Sequence, residues 1–173
     1  VEMRIDWHDT PFADKKTNNP DQVGVSYMTF HSVRERYFEQ MREFIAPYRE
    51  FRNQRNIKML ANIKEVTGIS IDFENDVLPL SQYANGGSVT ERHLLFALAK
   101  KVLPDGSEDE QYKLLGKYKS GLIREVYVNP TDELVPLDTA IDFAGSIDAI
   151  LCYPYLGDVT NSVTGDKAAA KFE

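Results

Sequence analysis

Cysteine occurs once in the 173 residues, at Cys152, so the chain has no internal disulfide and fits a reducing compartment. Leu151 and Tyr153 flank that cysteine, which reads as a buried thiol rather than a nucleophile. Tryptophan also occurs once, at Trp7, and histidine three times. No apolar run approaches the roughly 20 residues that a membrane-crossing helix needs. No basic-then-apolar secretory signal opens the sequence. The cytoplasm or a virion is therefore the expected location. Catalytic motifs are missing as well. There is no G-x-S-x-G, no HExxH and no P-loop lysine after Gly86-Gly87-Ser88-Val89-Thr90. No cofactor is expected.

The 42% hydrophobic and 27% charged fractions are those of an ordinary globular chain. The net charge of −7 argues against nucleic-acid binding as the main role, because phosphate contacts need a basic surface. Charge is unevenly spread. Residues 31–68 are locally basic and most later segments acidic, which suits head-to-tail contact between copies or a cationic face for an acidic partner.

The most legible stretch runs from His31 to Gly68. Ser32 and Glu35 stand at capping-box spacing. Tyr37, Met41, Phe44, Tyr48 and Phe51 then follow at intervals of four and three, which places them on one helical face. Pro47 inside this run predicts a break or strong kink. Gly68 sits where a left-handed C-terminal cap belongs. Core packing explains the aromatic stripe, and its composition also suits a partner interface.

Alternation at Met3, Ile5 and Trp7 predicts a strand, followed by a polar loop. Val23, Val25, Tyr27 and Thr29 predict a second strand, and Ile69–Phe73 a short third. Ser88 with Glu91, and Ser107 with Glu110, mark two further helix starts. Leu94, Leu95, Leu98 and Val102 form the apolar side of one helix, and Tyr112, Leu115 and Tyr118 that of the next. Residues 122–128, LIREVYV, read as a strand. Asp138 to Tyr155 fits two patterns, a hairpin bent at Gly145-Ser146 or a helix through Ala140, Ala144, Ile147 and Leu151. The glycine-serine pair favours strands.

The fold expected from these elements is α+β, with three to four helices packed on a small antiparallel sheet. Residues 1–22 are expected to form an extended arm able to add an edge strand. Residues 23–156 are expected to be a single domain, and 157–173 a polar tail too poor in apolar residues to fold alone.

Two polar clusters bear on chemistry. Asp6, His8 and Asp9 combine carboxylates with an imidazole and are the candidates for a small metal-dependent enzyme. Asp72, Glu74 and Asp76 alternate like a calcium loop but lack its glycine and later glutamate. Neither completes a site in the sequence. The expected function is therefore non-enzymatic: a structural or assembly subunit working through protein–protein contacts. Its setting would be a larger complex such as a bacteriophage virion or injection-type particle. The expected partners are copies of the chain or neighbouring subunits, not a membrane. The interface candidates are Trp7, Tyr37, Met41, Phe44, Tyr48 and Phe51, with Trp7 as the anchor of the arm. An acidic inhibitor that imitates nucleic acid is the remaining alternative, supported by net charge alone.

Overall fold

A computed structural model describes residues 1–19 and 22–155; the polar tail expected over 157–173 lies outside them. The chain separates into two compact units, where the sequence predicts one domain over 23–156. The sheet unit comprises Val1–Tyr48 with Thr131–Glu173, and the helical unit Arg49–Pro130.

In the sheet unit, β1 (Glu2–Asp6), β2 (Val25–His31), β3 (Val135–Pro136) and β4 (Ile150–Cys152) form one sheet in the order β3-β1-β2-β4. β1 runs antiparallel to β2 and parallel to β3, so the sheet is mixed rather than purely antiparallel. Alternation sends Met3, Ile5 and Trp7 to one face, where they meet Met28, Phe30 and Leu151. The α5 helix (Leu137–Ser146) and the start of α1 (Phe38–Thr67) add Ala140, Ala144, Met41 and Phe44 to the same core. The Phe44 and Phe143 rings stack there with centroids 3.8 Å apart.

The expected N-terminal arm is thus an inner strand, flanked by β2 and β3. Its polar loop misled the sequence reading, because that loop folds inward and its polar groups find backbone partners. Thr17 Oγ1 donates to the Val25 carbonyl at 2.7 Å. The Asn18 amide donates to the Tyr27 carbonyl at 2.9 Å and accepts from the Tyr27 N–H at 2.8 Å. β4 pairs only with Thr29, Phe30 and His31, so the Asn18 side chain stands in for a strand partner one step further along β2.

The helical unit packs the remainder of α1 with α2 (Glu91–Val102), α3 (Glu108–Ser120) and α4 (Ile123–Val126). Met59, Ile63, Leu94, Leu98 and Val126 are fully buried in its core. Polar side chains on α1 also bind the loops of this unit. Arg49 Nη2 donates to the carbonyls of Tyr83 at 2.8 Å and Gly87 at 2.7 Å. Asn56 reaches the Val89 carbonyl, and Asn62 that of Val126. Arg55 donates to the Val128 carbonyl and pairs with Glu91 at 2.8 Å.

The α+β class expected from the sequence holds, with five α-helices among the described residues rather than three to four. Residues 123–126, within the run read as a strand, are helical, with Ile123 and Val126 three apart on the core side. Ile69–Asp72 forms no strand; the Asp72 carboxylate instead accepts from the Asn75 N–H and caps a single π turn. Asp138 to Tyr155 uses both of its patterns in succession, helix α5 and then strand β4. Helical spacing wins in the first half because it buries Ala140, Ala144 and Ile147 together.

The caps divide in the same way. Gly68 adopts φ +74° and its N–H closes on the Lys64 carbonyl at 2.8 Å, as expected. Ser107 and Glu110 form their reciprocal box. Ser32 does not cap, since its φ of +59° turns the chain before a short 3-10 turn at Glu35–Tyr37. The box expected at Ser88 and Glu91 shifts to Thr90 and His93, with His93 Nδ1 accepting from the Thr90 N–H at 2.9 Å.

That histidine cap has a pH consequence. Burial holds the His93 imidazole below its ordinary value; Arg92 acts in the same direction and Glu91 against it. The unfolded chain therefore binds the proton more readily than the folded one. The stability that His93 adds is complete above about pH 6.5 and is lost as pH falls through the lowered folded value. His93→Gln keeps an acceptor for Thr90 without a titrating ring. Melting curves from pH 7.5 to 5 should show a shallower decline in that variant than in wild type. Identical slopes would remove His93 from the account.

Candidate functional site

The Asp6, His8 and Asp9 group lies where β1 ends. The Asp6 carboxylate accepts from the His8 backbone N–H at 2.9 Å and also meets His8 Nδ1. The exposed carboxylate and ring thus close a local turn on each other. The His8 ring also lies over Gly24, whose φ is +68°. A Cβ there would come within 2.6 Å of the Ala13 carbonyl and 3.1 Å of His8 Nε2, so only glycine fits. Among the described residues, no group of three or more His, Cys, Asp or Glu side chains could hold a metal ion.

The second acidic cluster is likewise committed locally. Asp72 caps Asn75, while Asp76 accepts from Lys101 Nζ at 2.8 Å. That hydrogen bond holds the Asp76 carboxyl below its ordinary value, with a further contribution from the Asp72 N–H.

The six interface candidates mostly face inward. Trp7 is 9% exposed, and its Nε1 donates to Ser26 Oγ at 2.6 Å within the sheet unit. Met41 is buried, and Tyr37, Phe44 and Tyr48 pack against the same core. Trp7 therefore packs within its own unit rather than anchoring an arm, since β1 carries it onto the covered face of the sheet. Phe51, in the helical unit, is 39% exposed. Cys152 is half-buried in β4, with its thiol free.

Two outward helix faces lie apart from these candidates. On α3, Tyr112, Lys113, Gly116 and Lys117 are all exposed. The Tyr112 ring is 51% exposed, yet it is held by stacking on Phe96 with centroids 4.6 Å apart. On α5, Asp138, Ile141, Asp142 and Gly145 are all exposed, Ile141 to 50%. Each face carries two like charges one helical turn apart; within its own helix, Lys113 acts favourably on the Glu110 carboxylate, and Asp138 lies in the first turn of α5, where the helix dipole favours an acid. Each also carries a glycine whose added Cβ would meet nothing within 4 Å. The chain matches no family model, no curated protein and no solved structure. The signal that identifies these faces is readable in sequence: like charges at i and i+4, interleaved with one large apolar residue and a glycine. Among the described residues, no helix is long and apolar enough to cross a membrane.

Proposed function

We propose that this chain is a non-enzymatic structural or assembly subunit that works through protein–protein contacts in a larger complex. The observation that carries the reading is the pair of outward faces on α3 and α5. There, large apolar side chains stand half-exposed on regular helices instead of being scattered over loops. Half-exposed side chains already fixed by a helix lose little freedom on contact with a partner, which favours binding. Exposed Phe51 adds an apolar position on α1. A bacteriophage virion or injection-type particle is the proposed setting.

Sedimentation velocity over a hundredfold range of concentration tests the reading. The expected result is a species heavier than the 19.7 kDa chain that grows with concentration. Sedimentation as a 19.7 kDa monomer throughout would overturn it.

A further inference from the structure

We infer that α3 of one copy docks antiparallel against α5 of a second copy, which specifies the partner and surface of the assembly role proposed above and rests on it. Charge selects the pairing. The sheet unit, which contains α5, has sixteen acidic and eight basic residues; the helical unit, which contains α3, has eleven acidic and twelve basic. Helix α5 carries Asp138 and Asp142 and no Lys or Arg. Lys113 and Lys117 are exposed on α3, and neither they nor these two aspartates make an ion pair among the described residues. A contact of α3 with α3 would set lysine against lysine, and one of α5 with α5 aspartate against aspartate. Only the pairing of α3 with α5 sets opposite charges against each other.

Shape gives the register. Both charge pairs are four residues apart, about 5–6 Å between Cβ atoms, so the two pairs span equal lengths. In the antiparallel direction, Lys113 meets Asp142 as Lys117 meets Asp138. The same antiparallel direction brings Ile141 to Gly116 and Tyr112 to Gly145, two residues or about 3 Å along the axes from exact level with the charge pairs, an offset that the long lysine side chains span. Each large side chain then faces a glycine, where open space beside the backbone admits it. Handedness decides the direction. In both right-handed helices the charged row lies on the same side of the apolar–glycine row, viewed from outside with the N-terminus down. Turning one helix end for end superimposes charged row on charged row, whereas a parallel arrangement crosses them. The glycines themselves support this contact. Gly116 lies inside α3, where glycine is unfavourable, and the packing of its unit does not require one there; Gly145, in the last turn of α5, likewise has open space beside it. The contact joins two different patches, so it propagates from copy to copy and builds a ring or an open chain.

A charge exchange tests this on the full chain. One variant carries Lys113→Glu and Lys117→Glu, the other Asp138→Lys and Asp142→Lys. Circular dichroism melts first establish that each is folded. Each variant alone should associate at least tenfold more weakly than wild type. An equimolar mixture should regain wild-type association, because every contact then pairs unlike charges. Gly116→Arg, which fills the space for Ile141, should also weaken association. Raising salt from 50 mM to 500 mM should weaken wild type and mixture alike. If wild type assembles and both folded variants assemble equally well, or the mixture restores nothing, the α3–α5 contact is wrong while the assembly role stands. If wild type itself remains monomeric, the assembly role fails, and the contact fails with it.

Discussion

Replacing Arg4 by Leu should destabilise the protein by about 3–5 kcal/mol, the range for removing one partner of a buried ion pair. Arg4 projects from β1, and its Nη1 lies 2.8 Å from Glu133 Oε1, with side-chain exposures of 11% and 2%. Its guanidinium also stands over the Tyr27 ring, 5.7 Å from the centroid. Glu133 lies just before β3, so the pair joins the inner strand to the segment that delivers its parallel neighbour. Leucine removes the cation and leaves the carboxylate buried, which costs more than the pair itself contributes. The double variant Arg4→Leu with Glu133→Met should therefore be more stable than Arg4→Leu alone. Urea denaturation of the wild type, both single variants and the double variant gives the coupling directly. Near-additive losses would mean that the two side chains do not depend on each other.

The same strand shows what the sequence pattern of the N-terminus does and does not reveal. Met3, Ile5 and Trp7 showed the strand correctly, and their alternation placed the buried face. What alternation cannot report is how many neighbours a strand has. The polarity of the following loop suggested an arm, but Thr17 and Asn18 are polar because they replace backbone partners in the interior. A helix stripe is ambiguous in a related way. Periodicity put Tyr37, Met41, Phe44 and Tyr48 on one face without saying whether that face met core or partner, and it met core. Local chemistry was easier to read. Gly68 and Ser107 were identified because a left-handed cap and a reciprocal box depend on residues within a turn of each other. Residues 123–126 went the other way, since β-propensity counts only when a strand partner is at hand. Apolar positions alone do not mark the outward faces of α3 and α5. Their charges and glycines are what set them apart.

Pro47 provides the second large effect, and its sign is opposite: Pro47→Ala should stabilise the protein by about 2 kcal/mol. The sequence predicts a break or strong kink at this proline; α1 runs without a break from Phe38 to Thr67 with Pro47 inside. A proline within a helix has no N–H for the carbonyl four residues earlier, here Glu43, and its ring crowds that carbonyl. The penalty is about 3 kcal/mol relative to alanine. Proline returns roughly 0.4–1 kcal/mol by restricting the unfolded chain, which leaves the estimate above. Packing does not oppose the change. Pro47 is exposed, while Phe44 and Tyr48 on either side make the core contacts of the sheet unit. The substitution thus adds a hydrogen bond and removes a clash without opening a cavity. A melting temperature raised by several degrees, together with slower amide exchange in the turns around residue 47, is the expected outcome. An unchanged or lowered melting temperature would show that the neighbouring helix has already relaxed around the proline ring. In that case, the ring itself would contribute to the local structure instead of being tolerated by it.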